Sequence, residues 1–175
     1  MTTTLAVLMM TCAPLVHPTT LHALIEVESA ANPYAISVNH PQTLLSAGID
    51  LPDFDQPHSA REALQMAHRL MAQGYILSVG LAQINIEHLP KLNLRLADLF
   101  NPCVNLAVAQ RLLLDCDSGQ SLRGGQSPRM RLRRTLSCYN SGDYMTGLQN
   151  QYAATVANTA ARHRHRTARP IRSPA

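Results

Sequence analysis

Helix start and stop signals divide this sequence more sharply than any other pattern in it. His17-Pro18-Thr19-Thr20 opens one helical segment, and Asn32-Pro33 stops it. Ser59-Ala60-Arg61-Glu62 has the form of a capping box, with Ser at N-cap and Glu at N3, and Gly74 closes that helix. Asn101-Pro102 places a capping amide before a proline suited to the first helical turn, and predicts a helix to near Cys116. Ser127-Pro128 opens another helix, which Gly142 ends, and a last one is expected over 144–161. Only Tyr75 to Ile86 reads as extended chain, with Ile76, Leu77, Val79, Leu81 and Ile84 interrupted by Gly80. Loops are expected over 38–58 and 117–127. The fold class is therefore mainly α (α+β), a helical domain with a small β element.

Composition narrows the function classes. At 175 residues the chain is of single-domain length. It has no run of about 18 apolar residues, so no membrane span is expected. Zero Trp, two Phe and five Tyr leave little for a base-stacking surface, which argues against a nucleic-acid partner. The net charge of +4 is local: Arg162, Arg164, Arg166, Arg169 and Arg172 crowd the last fourteen residues. Residues 1–161 hold ten Lys+Arg against eleven Asp+Glu. The expected organisation is a domain over 1–161 and a basic, solvated, disordered tail over 162–175.

Cys12, Cys103, Cys116 and Cys138 contain no C-x-x-C pair, so no structural zinc site and no metal are expected from them. Their even number suits two disulfides in an oxidising compartment, or four buried thiols in a reducing one, and spacing does not choose among three pairings. Leu5 to Met10 is apolar like the core of a signal peptide. No Lys or Arg precedes Arg61, however, and Thr11-Cys12-Ala13-Pro14 is a poor cleavage or lipidation site. The segment is expected to form a first helix of the domain, which leaves the export route unspecified.

One residue breaks the helical pattern. Leu21, Leu24, Ile25 and Glu28 follow the i, i+3, i+4, i+7 spacing of one helix face. Glu26 projects to the opposite side, where a carboxylate belongs. Glu28 instead sits on the stripe meant for burial, where desolvation raises a carboxyl pKa. A carboxyl that keeps its proton near neutral pH is what a general acid needs. The alternative is a rim carboxylate, solvated or paired with an arginine.

The residues around it are more specific. Glu28-Ser29-Ala30-Ala31-Asn32-Pro33-Tyr34-Ala35-Ile36-Ser37 resembles the E-S-x-x-N-P-x-A-x-S motif of the lysozyme-like lytic transglycosylases (SLT family). Gly80-Leu81-Ala82-Gln83-Ile84-Asn85 resembles their G-L-x-Q-I segment, and Tyr139-Asn140-Ser141-Gly142 their Y-N-x-G segment. The motifs stand in the family's order across about residues 12–152. Cys12-Ala13-Pro14, the capped helix of the insert and Asn101-Pro102-Cys103 resemble the subgroup serving type IV secretion and conjugation systems. That resemblance implies a lysozyme-like fold, a periplasmic location, and pairing of Cys12 with Cys103 and of Cys116 with Cys138.

It also implies a chemistry. The substrate would be the β-1,4 bond between N-acetylmuramic acid and N-acetylglucosamine in peptidoglycan. Glu28 would protonate the glycosidic oxygen, then act as base on the muramoyl C6 hydroxyl, which closes on C1 to give a 1,6-anhydro product. No water is consumed, so one carboxylate suffices where ordinary glycosidases need two. Ser37, Gln83, Asn85 and Tyr139 would form the substrate-binding set, with Tyr139 orienting the acid, and no cofactor is implied. The bland roles are a turn hydroxyl for Ser37, a buried amide serving local backbone for Gln83, and a core aromatic for Tyr139.

The sequence departs from the family pattern in three places. Ala31 replaces a common aromatic, Ala82 a common Met, and residues 38–79 form an insertion that compact members lack. Asp50, Asp53 and Asp55 in that insertion offer a second carboxylate, though their proline-flanked setting favours a solvated loop. The partners implied are glycan strands and secretion-system components. The alternatives are a hydrolytic lysozyme or a non-catalytic, wall-binding assembly component.

Overall fold

The structure is a computed structural model that describes residues 4–39, 52–120 and 127–167, with side chains to residue 164. It is mainly α with one small antiparallel sheet, as the punctuation predicts. Helices α1 (Leu5–Cys12) and α2 (Pro18–Ser29) precede strand β1 (Ile36–Asn39). Helix α3 (Ala60–Ala72), strands β2 (Ile76–Val79) and β3 (Ile84–Asn85), a 3₁₀ turn (Ile86–His88), α4 (Leu89–Leu92) and a second 3₁₀ turn (Leu96–Phe100) follow. Then come α5 (Pro102–Ser118), α6 (Pro128–Ser141), α7 (Thr146–Gln149) and α8 (Tyr152–Thr167). The residues group into two compact units, one of 1–13 with 28–109 and one of 14–27 with 110–175.

In the first unit the sheet order is β1-β2-β3, with Ile36 opposite Val79 and Val79 opposite Ile84. Strand β1 corrects the expectation of a single extended segment. Four residues with one buried position are too short to show a period, and the pairing with distant β2 makes them a strand. Its free edge is closed by Gln56, whose amide accepts from the Ile36 N–H and donates to the Ile36 carbonyl, each at 2.9 Å. Residues 38–79 thus leave and re-enter through paired strands. Ser59 caps α3 as expected, accepting from the Glu62 N–H. The Glu62 carboxylate accepts from the His58 N–H. That bond and the Ser59 hydroxyl lower its pKa. Ala63, Ala67 and Leu70 are the buried face of α3, which packs on β2 and the Leu96–Phe100 turn.

Asn105 on α5 organises this unit. It is fully buried, accepts from the Ala82 N–H at 2.8 Å, and donates to the carbonyls of Val79 and Leu99 at 2.9 Å each. One amide therefore bonds three backbone groups, at the end of β2, in the β2–β3 turn and in the 3₁₀ segment. Gly80 makes room for it: at φ +81° its place for a Cβ lies 2.2 Å from Asn105 Nδ2. A disulfide between Cys12 and Cys103 ties α1 to the start of α5. Loop-closing bonds of this kind contribute about 2–4 kcal/mol.

The second unit carries the other disulfide, Cys116 with Cys138. Both pairs are those the family resemblance implied. Leu21, Ala23, Leu24 and Ile25 of α2 are fully buried. Ser127 caps α6 and Gly142 ends it. Ser137 on α6 accepts from the Gly147 N–H at 2.8 Å and donates to the Asp143 carbonyl. Any Cβ on Gly147 would fall 2.6 Å from Ser137 Cα. The helix expected over 144–161 is two: α7 is ended by Asn150 and Gln151, the latter at φ +66°. Helix α8 then continues to Thr167, past the expected end at 161, because no Pro or Gly interrupts the sequence there. Residues 168–175 of the expected tail, Asp50 and the 121–126 part of the expected loop lie outside the described residues.

Two consequences are measurable. Asn105→Ala removes hydrogen bonds to three buried backbone groups, each costing about 1–3 kcal/mol. Denaturant unfolding with the disulfides intact should show a loss of at least about 3 kcal/mol. The second concerns acid. Asp143 accepts from the Thr146 hydroxyl and the N–H groups of Thr146 and Met145, which lower its pKa to about 2. The Arg131 guanidinium likewise lowers Asp117. Both folded values lie below the unfolded value of about 3.9. Their stabilisation is complete above that value and lost as pH falls toward 2. The melting temperature should drop over that window, and less steeply in Asp143→Asn.

Candidate active site

The chain path around Glu28 is built by its own motif. Helix α2 ends at Ser29, and Ala30 and Ala31 turn out of it at φ +50° and +62°. Left-handed backbone is unfavourable for residues with a Cβ, by about 1 kcal/mol or more each. Asn32 supports the turn: its N–H donates to the Ser29 carbonyl, and its side-chain oxygen accepts from the Tyr34 N–H at 2.9 Å. The Asn-Pro pair of the motif thus redirects the chain into β1 within a few residues. Glu28 is half-buried in the last turn of α2, on the helix face of Leu21, Leu24 and Ile25.

The second motif meets the first through hydrogen bonds. Ser29 Oγ donates to the Leu81 carbonyl at 2.8 Å, which fixes the end of α2 to the Gly80–Gln83 turn. Ser37 Oγ donates to Gln83 Oε1 at 2.5 Å. Gln83 Nε2 donates to the carbonyls of Ala35 and Gly80 at 3.2 and 3.0 Å. Gln83 itself is left-handed at φ +48°. Its amide therefore joins β1 to the turn, the local-backbone role that the sequence left open for it. Ser37 is exposed and bonds a side chain rather than backbone.

Asn85 is engaged differently. Its oxygen accepts from the Glu87 N–H at 2.9 Å and its nitrogen donates to Glu87 Oε2 at 3.1 Å, so it caps the 3₁₀ turn. Tyr139 is half-buried on α6, in the second unit. Asp53 and Asp55 are exposed, as expected of a solvated loop. Among the described residues, hydrogen bonds join Ser29 to the Gly80–Gln83 turn and Ser37 to Gln83, in the unit that also holds Glu28. Asn105 and Gln56, which hold that turn and strand β1, are residues that the sequence does not single out. A buried amide has no periodic signature, and Gln56 sits in a stretch without one.

Comparison with known proteins bears on the same segments. The transglycosylase SLT domain model matches residues 6–161. The chain belongs to this family. It is also 35% identical over 145 residues to the type IV secretion system protein VirB1 of Brucella abortus, covering 83% of this chain and 57% of that protein. It is 35% identical over 152 residues to the VirB1 protein of Agrobacterium fabrum, covering 85% of this chain and 56% of that one. A VirB1 protein of Rhizobium radiobacter is 33% identical over 153 residues, covering 85% and 57%. The chain thus spans little more than half the length of these relatives. No solved structure matches it. The SLT match begins within α1.

The Ser37–Gln83 bond makes the site's framework testable. A double-mutant cycle of Ser37→Ala and Gln83→Ala should give a coupling of about 0.5–1 kcal/mol, at the low end because the bond is exposed. Gln83→Ala alone should cost more than Ser37→Ala, since it also removes the side-chain bonds to the Ala35 and Gly80 carbonyls, which keep only their backbone donors. Urea unfolding of the four proteins measures both.

Proposed function

We propose that this chain is a peptidoglycan lytic transglycosylase that opens the cell wall locally for a type IV secretion or conjugation apparatus. The observation that carries the reading is Glu28: a half-buried carboxylate on an otherwise apolar helix face, inside the family-matched segment and followed by two left-handed residues. The VirB1 relatives support the secretion context. A reaction in the periplasm follows from that context and accords with the two disulfides. Among the described residues no helix is long and apolar enough to cross a membrane.

In the mechanism, Glu28 donates its proton to the oxygen of the β-1,4 bond between N-acetylmuramic acid and N-acetylglucosamine. The bond to C1 breaks and positive charge develops there, which the substrate's own N-acetyl group stabilises. The Glu28 carboxylate then takes the proton of the C6 hydroxyl as that oxygen closes on C1. The proton returns to the carboxyl, no water enters, and the product is the 1,6-anhydro sugar. Ser37, Gln83, Asn85 and Tyr139 are the substrate-binding residues that the family motifs imply.

Digestion of purified peptidoglycan, with soluble products identified by mass spectrometry, tests the reading. Wild type should release anhydro-muropeptides, and a folded Glu28→Gln variant should lose about 10²–10⁴-fold in rate, the contribution of a positioned general acid. Products carrying an added water would establish a hydrolase instead. A folded wild type that binds glycan without releasing product would establish an assembly component.

A further inference from the structure

The second unit holds a group of side chains that the transglycosylase reading does not use. His22 and Glu26 stand four residues apart on α2 and so share one helix face, turned away from the face of Glu28. His163 reaches them from α8. His163 Nε2 lies 3.2 Å from His22 Nδ1 and 2.5 Å from Glu26 Oε2. The two rings meet edge to face, with centroids 4.2 Å apart. One donor atom from each of the three residues lies within 4.8 Å of the others.

Each of the three converging atoms can present a lone pair, so the convergence suits a cation as well as a shared proton. Nε2 of an imidazole holds either one proton or one lone pair, and here it faces both neighbours. As a donor to Glu26 it also presents that N–H to His22. As an acceptor from His22 it turns its lone pair toward the carboxylate. A cation at the centre would instead satisfy three lone pairs at once.

We propose that His22, Glu26 and His163 bind a divalent first-row transition ion, with Zn²⁺ the expected occupant. Two imidazoles and one carboxylate are a nitrogen–oxygen set that zinc takes at about 2.0–2.2 Å, whereas Ca²⁺ and Mg²⁺ take oxygens. Tetrahedral bonds of that length separate ligand atoms by about 3.3 Å. The His22–His163 spacing already matches, and the His163–Glu26 spacing needs to open by less than 1 Å. The Glu26 side chain is 45% exposed, so water completes the coordination from the solvent side. The site fastens α8 to α2 within its unit. The expectation of no metal came from the cysteines, and two histidines 141 residues apart carry no spacing signal.

Titration of ZnCl₂ into the metal-stripped full chain, with its disulfides intact, tests this by calorimetry and thermal melting. Wild type should bind one equivalent, and zinc at 100 times its Kd should raise the melting temperature by about 5–10 °C. His22→Ala and His163→Ala should each weaken binding more than tenfold, and the near-isosteric Glu26→Gln guards against a folding defect. His68→Ala, an exposed histidine of the other unit, should change nothing. Co²⁺ should give the intense visible bands of a four-coordinate ion in wild type and lose them in His163→Ala. No saturable binding by wild type at millimolar zinc would overturn the proposal. So would binding that folded His22→Ala, His163→Ala and Glu26→Gln retain.

Discussion

A single buried amide, Asn105, sets what the rest of its unit can do. The β2–β3 turn needs four residues to reverse a very short hairpin, and buried backbone groups at Val79 and Ala82 bond to Asn105 there. Buried backbone groups left short of hydrogen bonds are costly beside what a very short hairpin gains. Asn105 supplies those bonds from α5, and the Leu99 carbonyl shares its amide. With that turn fixed, Leu81 presents a carbonyl to Ser29, and Gln83 presents its side chain to Ser37. The end of α2, and Glu28 upon it, is therefore placed by a chain of bonds that starts 77 residues away in sequence.

Much of the helical framework was legible because helix ends are local events. Ser59, Asn101 and Ser127 each act within three residues of themselves, and all three cap as the sequence indicates. Strand β1 was not legible for the opposite reason. Ile36 to Asn39 becomes a strand only by pairing with residues some forty positions on, and nothing within the tetrapeptide requires it. The break at Asn150-Gln151 was missed because a non-glycine residue supplies the left-handed turn.

The candidate site was legible in a different sense. Periodicity alone placed Glu28 on the buried face but left its role open between a rim carboxylate and an acid. The motifs then gave chemistry to Ser37, Gln83, Asn85 and Tyr139, without saying what each side chain contacts. Gln83 is committed to three local partners, and Asn85 to Glu87. These are the contacts of residues that build a surface, and motif resemblance does not distinguish building a surface from touching what lies on it. The difference is one of hydrogen-bond capacity: a Gln whose oxygen and nitrogen are both engaged can offer a glycan only the remaining lone pair or exchange a partner.

Strain at the site follows from the same geometry. Ala30 and Ala31 adopt left-handed backbone where glycine would do so at less cost, directly after the Glu28-Ser29 pair. Glycine would also loosen the junction, because it widens the conformations open to the chain before folding. Alanine keeps the junction narrow, and the Ser29 and Asn32 hydrogen bonds compensate part of the cost. The proposed role of Glu28, giving and receiving a proton at one position, would benefit from a backbone that does not move between the two steps. The combination of strained alanines, a tethering serine and a turn-forming asparagine is the physical content of the E-S-x-x-N-P motif in this chain.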